Sequence, residues 1–108
     1  MDISFETRSL REVCENEAEG NRQLGDAVAK SLRSRLADCE SASSVAELIA
    51  GRPKELGDAT MSLELEGGSF LVFAVNHETV PVTSDGHVDW AKVYSIRVLK
   101  IEAKNERS

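Results

Sequence analysis

The chain is poor in the features that announce a chemistry. No apolar run approaches the ~18 residues of a membrane span, and Met1-Asp2-Ile3-Ser4 has neither the basic start nor the apolar middle of a secretion signal. A cytoplasmic protein is the expectation that follows. Cysteine is scarce: Cys14 and Cys39 lie far apart, with no metal-ligand spacing around either, so two buried, reduced thiols are expected and no metal is. There is no nucleotide-binding glycine loop, no zinc-ligand cluster and no nucleophile elbow, and no internal repeat or low-complexity segment. Nor is there a surplus of positive charge. Thirteen Lys and Arg stand against 19 Asp and Glu, for a net charge of -6. Proteins that live on phosphate contacts normally carry a basic surface, so nucleic-acid binding here requires a local basic patch on an acidic body.

What remains is a soluble globular composition, 41% hydrophobic and 30% charged over 108 residues, enough for one domain with a single core. Its centre is the stretch from Thr60 to Val75. Met61, Leu63 and Leu65 alternate with Ser62, Glu64 and Glu66, the period of a half-buried strand. Gly67-Gly68 supplies the positive φ angles of a hairpin turn. Phe70 to Val75 is apolar throughout, as expected of a strand in the middle of a sheet. Two registers are open. A two-residue turn sets Leu65 opposite Phe70 and Leu63 opposite Val72; one more turn residue pairs Leu65 with Leu71 and Leu63 with Phe73. A slip of one exchanges the faces.

Asp2 to Phe5 reads as a short opening strand. Thr7 is a suitable N-cap for a helix over Arg8 to Glu15, on which Leu10, Val13 and Cys14 share a face. Gly20-Asn21 is expected to break it and open a second helix through Cys39, with Leu24, Ala27, Val28, Leu32, Leu36 and Cys39 as its apolar stripe. Arg22, Asp26, Lys30 and Arg33 have the spacing of an ion-pair ladder on another face. The two helices form a hairpin lying on the sheet. Ser44-Val45-Ala46-Glu47 has capping-box spacing and predicts a short helix through Ala50, ended by Gly51 and sealed by Pro53. His77 to Asp89 is a long, turn-rich connection, functional or mobile. Asp89-Trp90-Ala91-Lys92 reads as one helical turn that plants Trp90 on the body. Tyr94 to Glu102 is the last strand, and residues 103–108 form a frayed tail after a domain over 1–102.

Few side chains invite a chemical role. His77 and His87 flank the long loop and are capable of acid–base work, although surface loop histidines are common. Arg22, Lys30, Arg33 and Arg35 form what is most often a solvated helix face. Arg52 and Lys54 flank Pro53 just before the hairpin, and Arg97 and Lys100 lie on opposite faces of the last strand by simple alternation. For a bound polyanion, Arg52, Lys54 and Arg97 are the better candidates.

The order of local patterns resembles the RelE/ParE toxin superfamily, and most closely its HigB branch of plasmid-maintenance, or killer, proteins. The matching residues are Phe5-Glu6-Thr7 with Leu10, Leu24-Gly25 with Ala29-Lys30, Leu32-Arg33 and Arg35-Leu36. They continue as Glu47-Leu48, Arg52-Pro53, Glu55-Leu56, Gly57-Asp58, Ser62 to Leu65, Leu71 to Phe73, Asp89-Trp90 and Ile96 to Leu99. The resemblance implies an α+β fold, an antiparallel sheet packed against a helical hairpin in the order β-α-α-(α)-β-β-β. It favours the longer hairpin turn, with Phe73 beneath the helices and Phe70 facing away. It implies the toxin half of a type II toxin–antitoxin pair, inhibiting translation by metal-independent, ribosome-dependent mRNA cleavage. Its partners are then a helix-turn-helix antitoxin of the HigA kind, the ribosome and mRNA, with no cofactor and no membrane. Relatives read Leu-Lys-Gly-Asp-Arg where this chain has Leu56-Gly57-Asp58-Ala59, the arginine opening the next strand falls at Phe70, and the aromatic-histidine ending is replaced by Glu102-Ala103-Lys104-Asn105. Catalytic residues are therefore left unassigned. The resemblance equally accommodates a non-catalytic member that acts by protein binding, on an antitoxin or, as in the ParE branch, on gyrase.

Overall fold

A computed structural model describes residues 1–103. Beyond Ala103, the tail expected over 103–108 lies outside the described residues. The fold is α+β: three helices, α1 (Arg8–Glu15), α2 (Glu17–Leu24) and α3 (Asp26–Ser41), lie on a five-stranded sheet. The strands are β1 (Asp2–Phe5), β2 (Lys54–Gly57), β3 (Thr60–Glu64), β4 (Phe70–Val75) and β5 (Ser95–Glu102), in the order β1-β5-β4-β3-β2. The expected antiparallel sheet is in fact mixed, because β1 runs parallel to β5 while every other pair is antiparallel. Three helices separate β1 from the hairpins, and that long crossover lets the first strand return alongside the last.

The helical layer departs from expectation at two glycines. α1 starts as predicted, with Thr7 Oγ1 accepting from the Leu10 N–H at 3.1 Å. The break that follows is at Asn16, not Gly20: Asn16 ends α1 and its Oδ1 accepts from the Glu19 N–H at 3.0 Å to start α2. Gly20 is buried inside α2, where a Cβ would stand 2.7 Å from the Val13 carbonyl oxygen. Glycine there lets α1 and α2 approach closely. The second break is Gly25, whose φ of 84° suits glycine and separates α2 from α3. The expected ladder also re-pairs. Arg22 binds Glu19 one turn back, which holds that carboxyl below its usual range, and Arg33 reaches Asn21 at 3.3 Å and Glu17 at 3.8 Å across the α2–α3 corner. Asp26 and Lys30 have no ion-pair partner among the described residues.

The apolar stripe of α3 lands where it should. Leu32, Leu36 and Cys39 join Cys14, Leu63, Leu71, Phe73, Ile96 and Val98 in one buried cluster, with Leu24 and Val28 at its margin. Ala29 is buried in place of the expected Ala27, which is exposed. At the far end of α3 the Met1 ammonium donates to the carbonyls of Cys39, Glu40 and Ala42 at 3.1, 3.0 and 2.8 Å. A cation there meets the negative end of the helix dipole.

The hairpin has neither of the two registers open from sequence. Leu63 pairs with Leu71 and Met61 with Phe73. The turn is Glu66-Gly67-Gly68, with φ of 71° and 77° at the glycines, closed by the Leu65 N–H donating to the Ser69 carbonyl at 2.8 Å. This register has the parity of the longer-turn alternative, so the facing holds. Phe73 is fully buried in the helix-side cluster, and Phe70 lies outside that cluster.

The short helix expected from Ser44 to Ala50 is a single 3₁₀ turn, Val45–Glu47. The capping box does not close: Ser44 makes no side-chain cap, and the Glu47 carboxylate accepts instead from the Ser43 N–H at 3.2 Å. Val45 is drawn down by donating its N–H to the Val93 carbonyl at 3.0 Å. The predicted turn over Trp90–Lys92 is present, and the Trp90 indole N–H donates to Glu55 at 2.5 Å. β2 has no counterpart in the sequence reading. All its residues are exposed, so it carries no period, and it exists because the tight turn after Gly57 folds it back onto β3.

Two measurements test this core. Leu32 is 1% exposed, so Leu32→Ala is expected to cost ~2–5 kcal/mol in denaturant melts, and a loss below ~1 kcal/mol would place it outside the core. Burial pushes the Cys14 thiol up to about 12 and the Cys39 thiol up to about 11 from an ordinary 9.0, with Glu15 and Asp38 next in effect. Both thiols are free and buried, so a thiol reagent is expected to label the native protein far more slowly than the unfolded chain. The unfolded chain ionises these groups near 9.0 and the folded one does not. Their contribution to stability is therefore complete below that pH and lost as pH rises towards 11 and 12.

Candidate functional site

Alternation along the strands assigns the sheet's two faces. Met61, Leu63, Leu71, Phe73, Ile96 and Val98 point into the helix-side cluster. The opposite, open face carries Ser62, Glu64, Phe70, Val72, Ala74 and Arg97, with Lys54 opposite Ser62 on β2 and Ser4 opposite Arg97 on β1.

Simple alternation fails at one point on β5, and the failure concerns the site. Phe73 pairs with Val98, but Val72 pairs with Lys100, so Leu99 is an extra residue, a β-bulge. The inserted residue turns Lys100 onto the same face as Arg97, correcting the expectation that the two lie on opposite faces. One cross-strand row therefore reads Lys54, Ser62, Val72, Lys100, and the next reads Thr60, Ala74, Arg97, Ser4. With strands ~4.8 Å apart, Lys54 and Lys100 stand roughly 14 Å from one another across the row.

All three predicted contact residues, Arg52, Lys54 and Arg97, thus border one surface, joined by Lys100. Two are already engaged. Arg52 faces Glu64 at 3.5 Å and Arg97 faces Glu6 at 3.1 Å. Arg52 is 89% exposed and has a φ of 47°, following Gly51 at 86°. Gly51 is pressed against β3, its carbonyl accepting from the Glu64 N–H at 2.6 Å, and a Cβ on it would crowd Arg35, Leu63 and Glu64. The chain enters β2 through this left-handed pair and leaves through another, Asp58 at 51° and Ala59 at 57°. Non-glycine residues in this region carry backbone strain, so both flanks of the edge strand are held in costly conformations.

The centre of this face is not exposed. Val72 and Ser62 are 3% and 2% exposed, although the helices all pack on the other face. Lys54 and Lys100 flank these two residues in the same cross-strand row, and both lysines are exposed.

Neither histidine joins this face as an acid or base. His77 Nε2 accepts from the Tyr94 and Ser95 N–H groups at 3.2 and 3.3 Å, with its ring packed edge-on against Tyr94 at 4.3 Å. Accepting two N–H groups requires an unprotonated Nε2, so His77 is a clasp that ties the long loop to the start of β5. His87 sits at the tip of that loop, 3.8 Å from Asp85, beyond the single Val82–Val88 bridge. Arg22, Arg33 and Arg35 are paired within the helical layer. Among the described residues no cluster of His, Cys, Asp or Glu is arranged to hold a metal ion, and no helix is long and apolar enough to cross a membrane.

Comparison with protein families, with curated proteins and with solved structures returns no match for this chain. The site is therefore read from its own geometry.

The Asp58-Ala59 turn gives a direct test of the strained flank. Ala59→Gly is expected to stabilise the protein by ~0.5–1 kcal/mol in denaturant melts, because glycine adopts positive φ without the Cβ penalty. Unchanged or reduced stability would mean that the left-handed turn is not formed.

Proposed function

We propose that this chain is the toxin half of a type II toxin–antitoxin pair of the RelE/HigB kind, inhibiting translation by contacting ribosome-bound mRNA through the open face of its sheet. The observation that carries the reading is the gathering of Arg52, Lys54, Arg97 and Lys100 on one helix-free face of a protein whose net charge is -6. A cationic surface about 14 Å across suits a run of phosphates rather than a single anion. The element order, an opening strand, a helical layer and then a run of hairpin strands, accords with the resemblance in the sequence. In this reading a small helix-turn-helix antitoxin masks the same face, and the chain works without a cofactor in the cytoplasm.

A second reading, binding without cleavage, is favoured by a specific observation. Arg52 and Arg97 rest on Glu64 and Glu6, and His77 is committed to two backbone N–H groups, so the face offers charge but no free acid–base pair. The binding target is then the antitoxin itself or, as in the ParE branch, gyrase.

Inducible expression of the chain alone, with growth curves and mapping of mRNA 5′ ends, separates the readings. The toxin reading expects growth arrest with new 5′ ends on translated messages, relieved by the double charge reversal Arg52→Glu and Lys54→Glu. Both residues are exposed, so the variant is expected to fold, as circular dichroism will check. Growth arrest without new 5′ ends supports the binding reading, and unimpeded growth overturns the toxin reading.

A further inference from the structure

The sheet ends in two edges, and they are not alike. β2 is short, fully exposed and irregular in register, with Lys54 at its start and left-handed residues on both flanks, features that discourage further pairing. β1 is as short, but its register is unbroken, neither flank is left-handed and it carries no basic residue. The Asp2 N–H donates to the Tyr94 carbonyl at 3.0 Å and the Glu6 N–H to the Val98 carbonyl at 2.8 Å. In a parallel pair the direction alternates, so Ser4 also points to β5, while the N–H and C=O groups of Ile3 and Phe5 point away from the sheet. Those backbone groups have no partner among the described residues.

The free edge opens into a groove. On one stretch, Ile3 and Phe5 share a cavity of about 630 Å³ with Cys14 of α1 and Leu36 of α3, walled by Glu15 and Glu40. On the next, the same two residues share a further 680 Å³ with Arg8, Arg11 and Glu12 at the start of α1. The floor is apolar and its margin is charged. Arg11 is spent on Glu15 and Arg33 on Glu17, while Glu6 is held by Arg97. Asp2, Glu12 and Glu40 are left without ion-pair partners among the described residues, against Arg8 and the Met1 ammonium, which rests on the carbonyls that end α3.

We propose that the β1 edge is a docking slot for an extended polypeptide segment that alternates apolar and basic residues and adds to the sheet as a sixth strand. The hydrogen-bonding groups of Ile3 and Phe5 call for a strand, since only an extended backbone offers donors and acceptors at matching spacing. The floor takes the segment's apolar side chains and the uncompensated carboxylates take its basic ones. A second copy of this chain does not match the charge pattern, because its own β1, Asp2-Ile3-Ser4-Phe5, carries an acid and no basic residue. The slot is on the β1 side of the sheet, away from the Arg52/Lys54 flank, and does not depend on the toxin reading.

The test uses the ¹⁵N-labelled protein and three short acetylated, amidated peptides: alternating lysine and valine, alternating glutamate and valine, and the lysine–valine peptide N-methylated on every second residue. The lysine–valine peptide is expected to bind saturably, shifting the Ile3 and Phe5 amide resonances and slowing their hydrogen exchange. The glutamate peptide is expected to bind at least about ten-fold more weakly, as charge complementarity requires, and the N-methylated one not at all. In the exposed variant Glu12→Lys with Glu40→Lys the preference between the two charged peptides should narrow or invert. Absence of binding by the lysine–valine peptide overturns the proposal. So does binding that survives N-methylation, or that leaves Ile3 and Phe5 unperturbed while shifting residues elsewhere.

Discussion

The constraint on which the rest of the structure depends is the strand Phe70–Val75, apolar at every position and hydrogen-bonded to a neighbour on each side. Such a strand must be shielded on two faces. On one, Leu71 and Phe73 are sealed by Leu32, Leu36 and the flanking strands, and hydrophobic burial of this kind is the main favourable term in folding. A central place for β4 puts β3 and β5 beside it and leaves β1 and β2 as edges. The positions of every candidate contact residue follow from that single placement.

The second face has no helix over it and carries the basic residues of the outer strands. No helix covers Val72, yet it is nearly inaccessible, and Lys54 and Lys100 stand in its row. Long basic side chains can lay their methylenes over an apolar centre and keep their charges in water. The two lysines of this row are also the ones that would meet phosphate or an acidic partner. Glu64 and Glu6 temper the surface by holding Arg52 and Arg97. An anionic ligand at this face would have to displace these carboxylates from the two arginines.

The loop between β4 and β5 is built to be held at its ends. His77 ties its start to Tyr94 and Ser95, and Trp90 anchors its far end on Glu55. Between them the chain is closed by the Val82–Val88 bridge and by the Asp89 N–H donating to the Pro81 carbonyl at 2.9 Å. It is closed as well by a tight turn in which the His87 carbonyl accepts from the Thr83 N–H at 2.7 Å and the Thr83 carbonyl from the Gly86 N–H at 3.0 Å. The loop is thus held both at its ends and across its tip.

By itself the sequence determined whatever is written in short-range pattern. Thr7 caps α1 because a hydroxyl three residues before a free N–H needs only local geometry. The alternation of Met61, Leu63 and Leu65, the α3 stripe and the two buried thiols follow from the periods of strand and helix. The three candidate contact residues were legible as basic positions next to the hairpin and on the last strand. What tertiary structure decided lies where pattern is silent or ambiguous. Gly20 reads as a breaker, but its role is to let the Val13 carbonyl approach. The hairpin register depended on whether Glu66 joins the turn, and both glycines permit either outcome. The parallel return of β1 and the existence of β2 are long-range pairings with no periodic trace. Above all, Lys100 reached the face of Arg97 only through the bulge at Leu99. A bulge costs little locally and is chosen by the fit of two whole strands, so the composition of the candidate surface was settled by the sheet and not by the spacing of its residues.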